Sequence, residues 1–296
     1  MTRQPPPKFY KLFTLGWPRS SAYWAMKHIW MGALGLFLLR VPAFGQSSQV
    51  LIIPDVVDGG GWQSTIALTN STGSPANATL TFHSDTAGGG TQIWTPAFLD
   101  ASSTSGLTIP GGSTTYLHTR GTAASLTQGW AQLDADSGVI AYVIFTNRVP
   151  GKQDQDATAP AVAGTSRILV PFDNSTGFVT AIAIVNPAAT AQTIAVAFRV
   201  GSGQIIQSNL PSVPALGHMT FVLPQQFTAT AGQSGLAEFF SSTGNFSLIA
   251  LRFNPTLSST AAPAYFMTGP PVITPASSGP NDPPPYSYQA PASPGN

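Results

Sequence analysis

Groups able to do chemistry are few in this sequence, and their spacing limits what they could do. Beyond residue 45 there are three histidines (His83, His118, His218), one glutamate (Glu238) and ten aspartates. Asp134-Ala135-Asp136, Asp154-Gln155-Asp156, and Asp55 with Asp58 could supply oxygen ligands for calcium, which takes about six to eight of them. The same residues read as turn-formers at strand ends, where Asp bonds its own backbone. No EF-hand or nonapeptide spacing joins them, so no metal is expected. Zinc would need clustered His, Cys or carboxylate, and cysteine is absent. No Gly-x-Ser-x-Gly elbow occurs and no histidine stands in a nucleophile–base motif. No enzyme chemistry and no cofactor are therefore expected. One route to a hydrolase stays open, two aspartates brought together by folding.

Aromatic rings offer a second kind of chemistry, stacking on sugar faces. Trp94 precedes Thr95-Pro96-Ala97-Phe98-Leu99-Asp100-Ala101-Ser102, an apolar stretch that makes Trp94, Phe98 and Asp100 the candidate ligand-binding residues. The competing reading is a flap that covers a sheet edge.

The elements that must position these groups are written twice. Ile66 to Asn70 returns as Ile182 to Asn186, and Ala78 to Phe82 as Ile194 to Phe198, both displaced by 116 positions. Gly129 to Leu133 returns as Gly235 to Phe239, and Ile140 to Phe145 as Phe246 to Leu251, displaced by 106. A period of about 110 residues exceeds a solenoid unit and suits an autonomous domain. The two copies also form an alignment. Trp62 falls opposite Phe178, Trp130 opposite Leu236 and Trp94 opposite Ile206, which assigns all three to packing positions. None of the three histidines is shared, and Glu238 falls opposite Gln132, so the fold does not need those groups. The segment 95–102 and about four residues within 84–90 have no counterpart, and these loops are where binding is expected.

Short runs rich in Val, Ile, Thr and Phe alternate with Gly, Pro, Asn and Ser clusters, an all-β pattern. Strands are expected near 49–53, 63–69, 76–83, 91–94, 105–109, 113–118, 128–134 and 139–147. The second set falls near 167–171, 179–185, 192–199, 203–207, 211–213, 218–223, 235–240 and 246–252, with a last one near 264–267. Such a series implies two tandem immunoglobulin-like antiparallel β-sandwich modules, 46–164 and 165–269. Positions 66, 68, 80 and 82, with copies 182, 184, 196 and 198, should face inward. Thr122 to Leu126 and Gln225 to Thr228 should each form a helical turn, and Arg148 and Arg252 should donate to loop carbonyls. The modules should sit end to end across Ala159 to Gly164.

The ends belong to other classes. Six of twelve basic residues lie in the first 40 positions, where there is no acid. Lys27-His28, the apolar run Ile29 to Leu39 and Ala43-Phe44-Gly45 read as a cleaved signal peptide over 1–45, with Met26 as the expected start. The remainder carries six basic against eleven acidic residues, which argues against nucleic acid. Residues 270–296, with Pro283-Pro284-Pro285 and Ser/Gly/Ala filler, should be an extended mobile tail. Asn70, Asn77, Asn174 and Asn245 begin Asn-x-Ser/Thr triplets of the kind chance supplies here, and no glycosylation is assigned.

Ile53-Pro54 with Asp58-Gly59-Gly60-Gly61-Trp62 and Ile66 to Asn70, then Val170-Pro171-Phe172-Asp173-Asn174-Ser175-Thr176-Gly177-Phe178, resemble the opening of a module in uncharacterised exported bacterial proteins of tandem immunoglobulin-like repeats. Gln128-Gly129-Trp130-Ala131 resembles a late strand of that module. The second opening has one residue fewer in its loop. The resemblance spans roughly 50–268 and implies tandem sandwiches and export, with no binding residues to transfer. The expected function is thus a non-catalytic exported surface, adhesion or scaffold protein, secreted, periplasmic or at the cell surface. Its partner would be an extracellular polymer or another surface protein, with the membrane touched only through the signal segment. The alternative is carbohydrate binding through the 84–102 loops.

Overall fold

The computed structural model describes residues 47–87, 89–149, 151, 153–256, 258–269, 271 and 273. The expected signal segment 1–45 and nearly all of the expected tail lie outside the described residues. Among the described residues no helix is long and apolar enough to cross a membrane.

The chain is all-β. Its first half contains β1 (Ser48–Asp58), β2 (Trp62–Asn70), β3 (Ala76–Asp85), β4 (Thr91–Trp94), β5 (Leu107–Ile109), β6 (Thr114–His118), β7 (Thr127–Asp136), β8 (Val139–Asn147) and β9 (Gln155–Pro160). Its second half contains β10 (Arg167–Asp173), β11 (Val179–Val185), β12 (Ala195–Val200), β13 (Ile205–Asn209) and β14 (His218–Val222), then α1 (Leu223–Gln226). It closes with β15 (Ser234–Phe240), β16 (Ser247–Phe253), β17 (Ser259–Ala262) and β18 (Tyr265–Met267). Four antiparallel sheets result among the described residues. Sheet order is β1-β7-β3-β4, with β5 also on β3, and β6-β2-β8-β9 in the first half. In the second half it is β13-β12-β15-β10-β18 and β14-β11-β16-β17.

Alternation along each strand sends every second side chain to one face, and in each half the inward faces of two sheets meet in a sandwich-like core. Ile66, Leu68, Leu80 and Phe82 lie buried in the first cluster, and Ile182, Ile184, Val196 and Phe198 in the second. Burying such side chains contributes about 1.5–3 kcal/mol each, the main source of stability in a chain without disulfides.

Pairings recur between the halves in matched register. Phe82 pairs with Trp94 as Phe198 pairs with Ile206, and Ala76 pairs with Ile109 as Gln192 bridges Val213. Shared residues have structural reasons. A Cβ on Gly129 would lie 1.9 Å from the His83 carbonyl oxygen, and one on Gly235 would lie 2.1 Å from that of Arg199. Only glycine permits that approach. Asn70 and Asn186 are fully buried, and their amides donate to the carbonyls of Ile109 and Val213 at 3.0 and 3.2 Å. Asn174, too, is buried, so the Asn70 and Asn174 triplets are closed to modification.

Several expectations are corrected. Residues 122–126 form no helical turn, whereas α1 occurs close to its expected place. Neither β9 nor β17 is among the expected strands; in β9, Gln-Asp-Ala-Thr-Ala-Pro carries turn residues and a proline. As edge strands they pair on one side only, where such residues are tolerated. The residue missing from the second copy is not in the loop. The β1–β7 register shifts between Ile53 and Val56, whereas β10 runs past β15 without a shift. The extra residue is therefore a bulge at Pro54-Asp55 within the strand. Ile273, assigned to the mobile tail, is buried, and its N–H donates to Glu238 at 2.5 Å.

Candidate functional site

The segment 95–102 fastens to the edge of β6 rather than standing free. Phe98 bridges Thr119, the Leu99 N–H donates to the His118 carbonyl at 2.9 Å, and the Arg120 N–H donates to that of Ala97 at 2.9 Å. Phe98 is 7% exposed, within the core cluster and 5.7 Å from the Phe82 ring. Trp94 is half-buried, edge-on to Phe82 at 6.2 Å. Asp100 accepts from the His118 backbone N–H at 2.7 Å and lies 2.7 Å from its Nδ1. The His118 backbone donor, then its ring, holds the Asp100 carboxyl below the usual carboxylate range. The structure thus gathers the expected binding residues, but not as an exposed platform. An unpaired edge needs a partner and a large apolar ring gains most when buried, so the insert covers the C-terminal end of the β6 edge, at His118 and just beyond.

The titratable residues converge elsewhere, where the second half meets the outer face of β1, β7 and β3. Ala131, Leu133 and Ala135 of β7 point into the first core, so Trp130 points out, as does His83 on β3. Trp130 is nevertheless fully buried, clustered with Ile52 and Val185, and its ring stacks on His83 at 4.4 Å and 7°. Its indole N–H donates to the Leu216 carbonyl at 3.0 Å, and the Thr91 hydroxyl donates to the same oxygen at 2.7 Å. Leu216 holds φ at 52°, a conformation unusual for a side chain larger than glycine. Trp130 belongs to a packing position as expected, but to the junction and not to the inter-sheet core. The halves are therefore joined by more than the chain at 159–164.

Two residues past that turn, His218 starts β14 with its side chain fully buried. Its Nδ1 lies 3.0 Å from both oxygens of Asp85. Its Nε2 has no hydrogen-bond partner among the described residues, and the nearest carboxylate, Asp55, is 4.0 Å away. That separation permits Coulombic attraction but exceeds a hydrogen bond. The bulge delivers Asp55 to this place, where the Gln128 amide donates to it at 3.2 Å. Burial pushes the Asp55 carboxyl up to about 6, opposed by His218 and Gln128 and reinforced by Asp85. Burial also pushes the His83 imidazole down.

Beside Asp55 a cleft of about 380 Å³ lies between the halves. Trp62, Phe145 and Leu126 line it from the first half, and Ile182, Phe221 and Phe253 from the second. Trp62, expected in packing, is half-buried on this wall. Asp55 is the only charged residue lining the cleft among the described residues.

Two aspartates do come together around an imidazole, as a hydrolase would require. Yet His218 is sealed from solvent, so in this arrangement no substrate reaches it. The remaining candidates are dispersed. Asp134 accepts from Gln132, Asp136 from the Asn77 N–H, Asp156 from Thr146 and Asp58 from the Gly121 N–H. No three acidic or histidine side chains among the described residues are arranged to hold a metal ion. Arg148 donates to Gln63 and Arg252 to the Asp173 carboxylate, not to loop carbonyls; Arg252 also lies 3.5 Å over the Phe178 ring. Glu238 is 1% exposed and pairs with Arg167 at 2.5 Å, so the second half does engage that charge. The junction was missed because comparing copies marks unshared residues as dispensable to the fold. The available signal was that Asp85, Trp130 and His83 are all unshared and, by strand alternation, all lie on one outer face. Comparison with models of known protein families gives no match, and no curated protein matches the sequence.

Proposed function

We propose that the chain is a non-catalytic exported protein of the cell surface, the periplasm or the extracellular space, built from two tandem immunoglobulin-like sandwich modules and acting in adhesion or as a scaffold. The observation that carries this reading is the junction. The residues best suited to chemistry, His218, Asp55 and Asp85, are engaged in holding one half against the other. The strand order repeated in both halves supports two modules. Export rests on the Lys27 to Gly45 pattern. With few charges beyond residue 45, contact with an extracellular polymer or a surface protein would rely on shape, backbone groups and hydroxyls.

A screen of the secreted protein against glycans and matrix components tests this, run beside a panel of chromogenic ester, glycoside and peptide substrates. Retention on a polymer or surface protein without turnover is the expected result. Turnover that disappears in His218→Ala would overturn it.

A further inference from the structure

The geometry points to the cleft between the two halves as a binding site for a small primary amine with an apolar body, its ammonium group seated on Asp55. The cleft's volume, about 380 Å³, falls in the range of small-molecule sites, and it is lined chiefly by aromatic and aliphatic side chains from both halves. Its single charged lining residue is a carboxylate, and no basic side chain lines it among the described residues. Behind that wall acidic groups outnumber basic ones, since Asp55 and Asp85 face a single imidazole, that of His218. The neighbouring titratable group, His83, stacks on Trp130, and burial pushes its imidazole down, away from the charged form.

Asp55 is also held for the purpose. The Gln128 amide donates to both of its oxygens at 3.2 Å, which fixes the carboxylate without neutralising it. A buried carboxylate of this kind favours a cation over a neutral or anionic head group, because the cation offsets the cost of keeping it ionised. The apolar walls favour a ligand whose body displaces water from the rings. Asp55 exists only through the bulge in β1, and the second half, lacking that residue, has no equivalent carboxylate in β10.

Isothermal titration of the full-length protein with octylamine, octanol and octanoate near neutral pH tests the proposal. Octylamine should bind at least about tenfold more tightly than octanol, a difference of about 1.4 kcal/mol, and octanoate should bind weakest because its carboxylate meets that of Asp55. Asp55→Asn should remove the preference for the amine while leaving octanol unchanged. Ala181→Leu, which places bulk on the cleft wall, should weaken both. Thermal melts of each variant separate lost binding from lost folding. Failure of all three compounds to bind would overturn the proposal. So would equal binding of octylamine and octanoate, or amine binding that survives Asp55→Asn in a folded protein.

Discussion

The same sheet face has opposite fates in the two halves. In the first, the outer side of β1, β7 and β3 presents Ile52, Trp130 and His83, which are buried where the second half covers them, with Asp85 at the rim reaching His218. In the second, the matching positions hold Leu236 opposite Trp130 and Arg199 opposite His83, and these stay half-buried. The inward faces, by contrast, carry matching apolar residues in both. Positions the halves share thus build each sandwich-like core, and positions they do not share, when they lie on one face, build the contact between them.

The largest test of that contrast is truncation at the matched pair. Trp130→Ala should destabilise by about 3–5 kcal/mol in denaturant melts, because a fully buried indole and its hydrogen bond are lost. Leu236→Ala should cost about 1 kcal/mol, since its side chain is only partly removed from water. Equal costs would erase the distinction between the faces. Next comes the imidazole: His218→Ala should cost about 2 kcal/mol, because Asp55 and Asp85 then face each other without it, while Thr114→Ala at the matching first-half position should be near neutral.

Asp55 gives a pH signature of comparable size. Its folded-state value, about 6, is raised above the ordinary 3.8, so the folded protein binds the proton more tightly than the unfolded chain. Ionisation therefore opposes folding: the penalty is absent below about pH 4 and fully present above about pH 6, at most about 3 kcal/mol. Asp55→Asn should flatten stability across that window relative to the parent, read as the difference between two melt series. The smallest effect belongs to the docking turn. Leu216→Gly should change stability by no more than about 1 kcal/mol, since glycine relieves the positive φ while the carbonyl that accepts from Trp130 and Thr91 remains.

Much of the fold was legible because it rests on local rules. Alternation placed Ile66, Leu80, Ile182 and Phe198 inward, and the repeat placed Trp94 and Ile206 at matching pairings with Phe82 and Phe198. The edge strands β9 and β17 escaped because an edge tolerates residues that elsewhere signal loops. Trp94, Phe98 and Asp100 were legible as an insert but not as an edge closure. That role depends on β6 having a free side, a property of sheet order and not of neighbouring residues. Asp55 was the hardest to see. One extra residue between Pro54 and Val56 looks like a change of loop length, and only the strand register shows that it turns a carboxylate onto the junction.

Trp130 and its partners should make the two halves one cooperative body, and calorimetric unfolding of the full chain beside Trp130→Ala measures that coupling. The parent should unfold in a single transition, and the variant in two, with one half melting ahead of the other. Two transitions in the parent, or an unsplit transition in the variant, would contradict it.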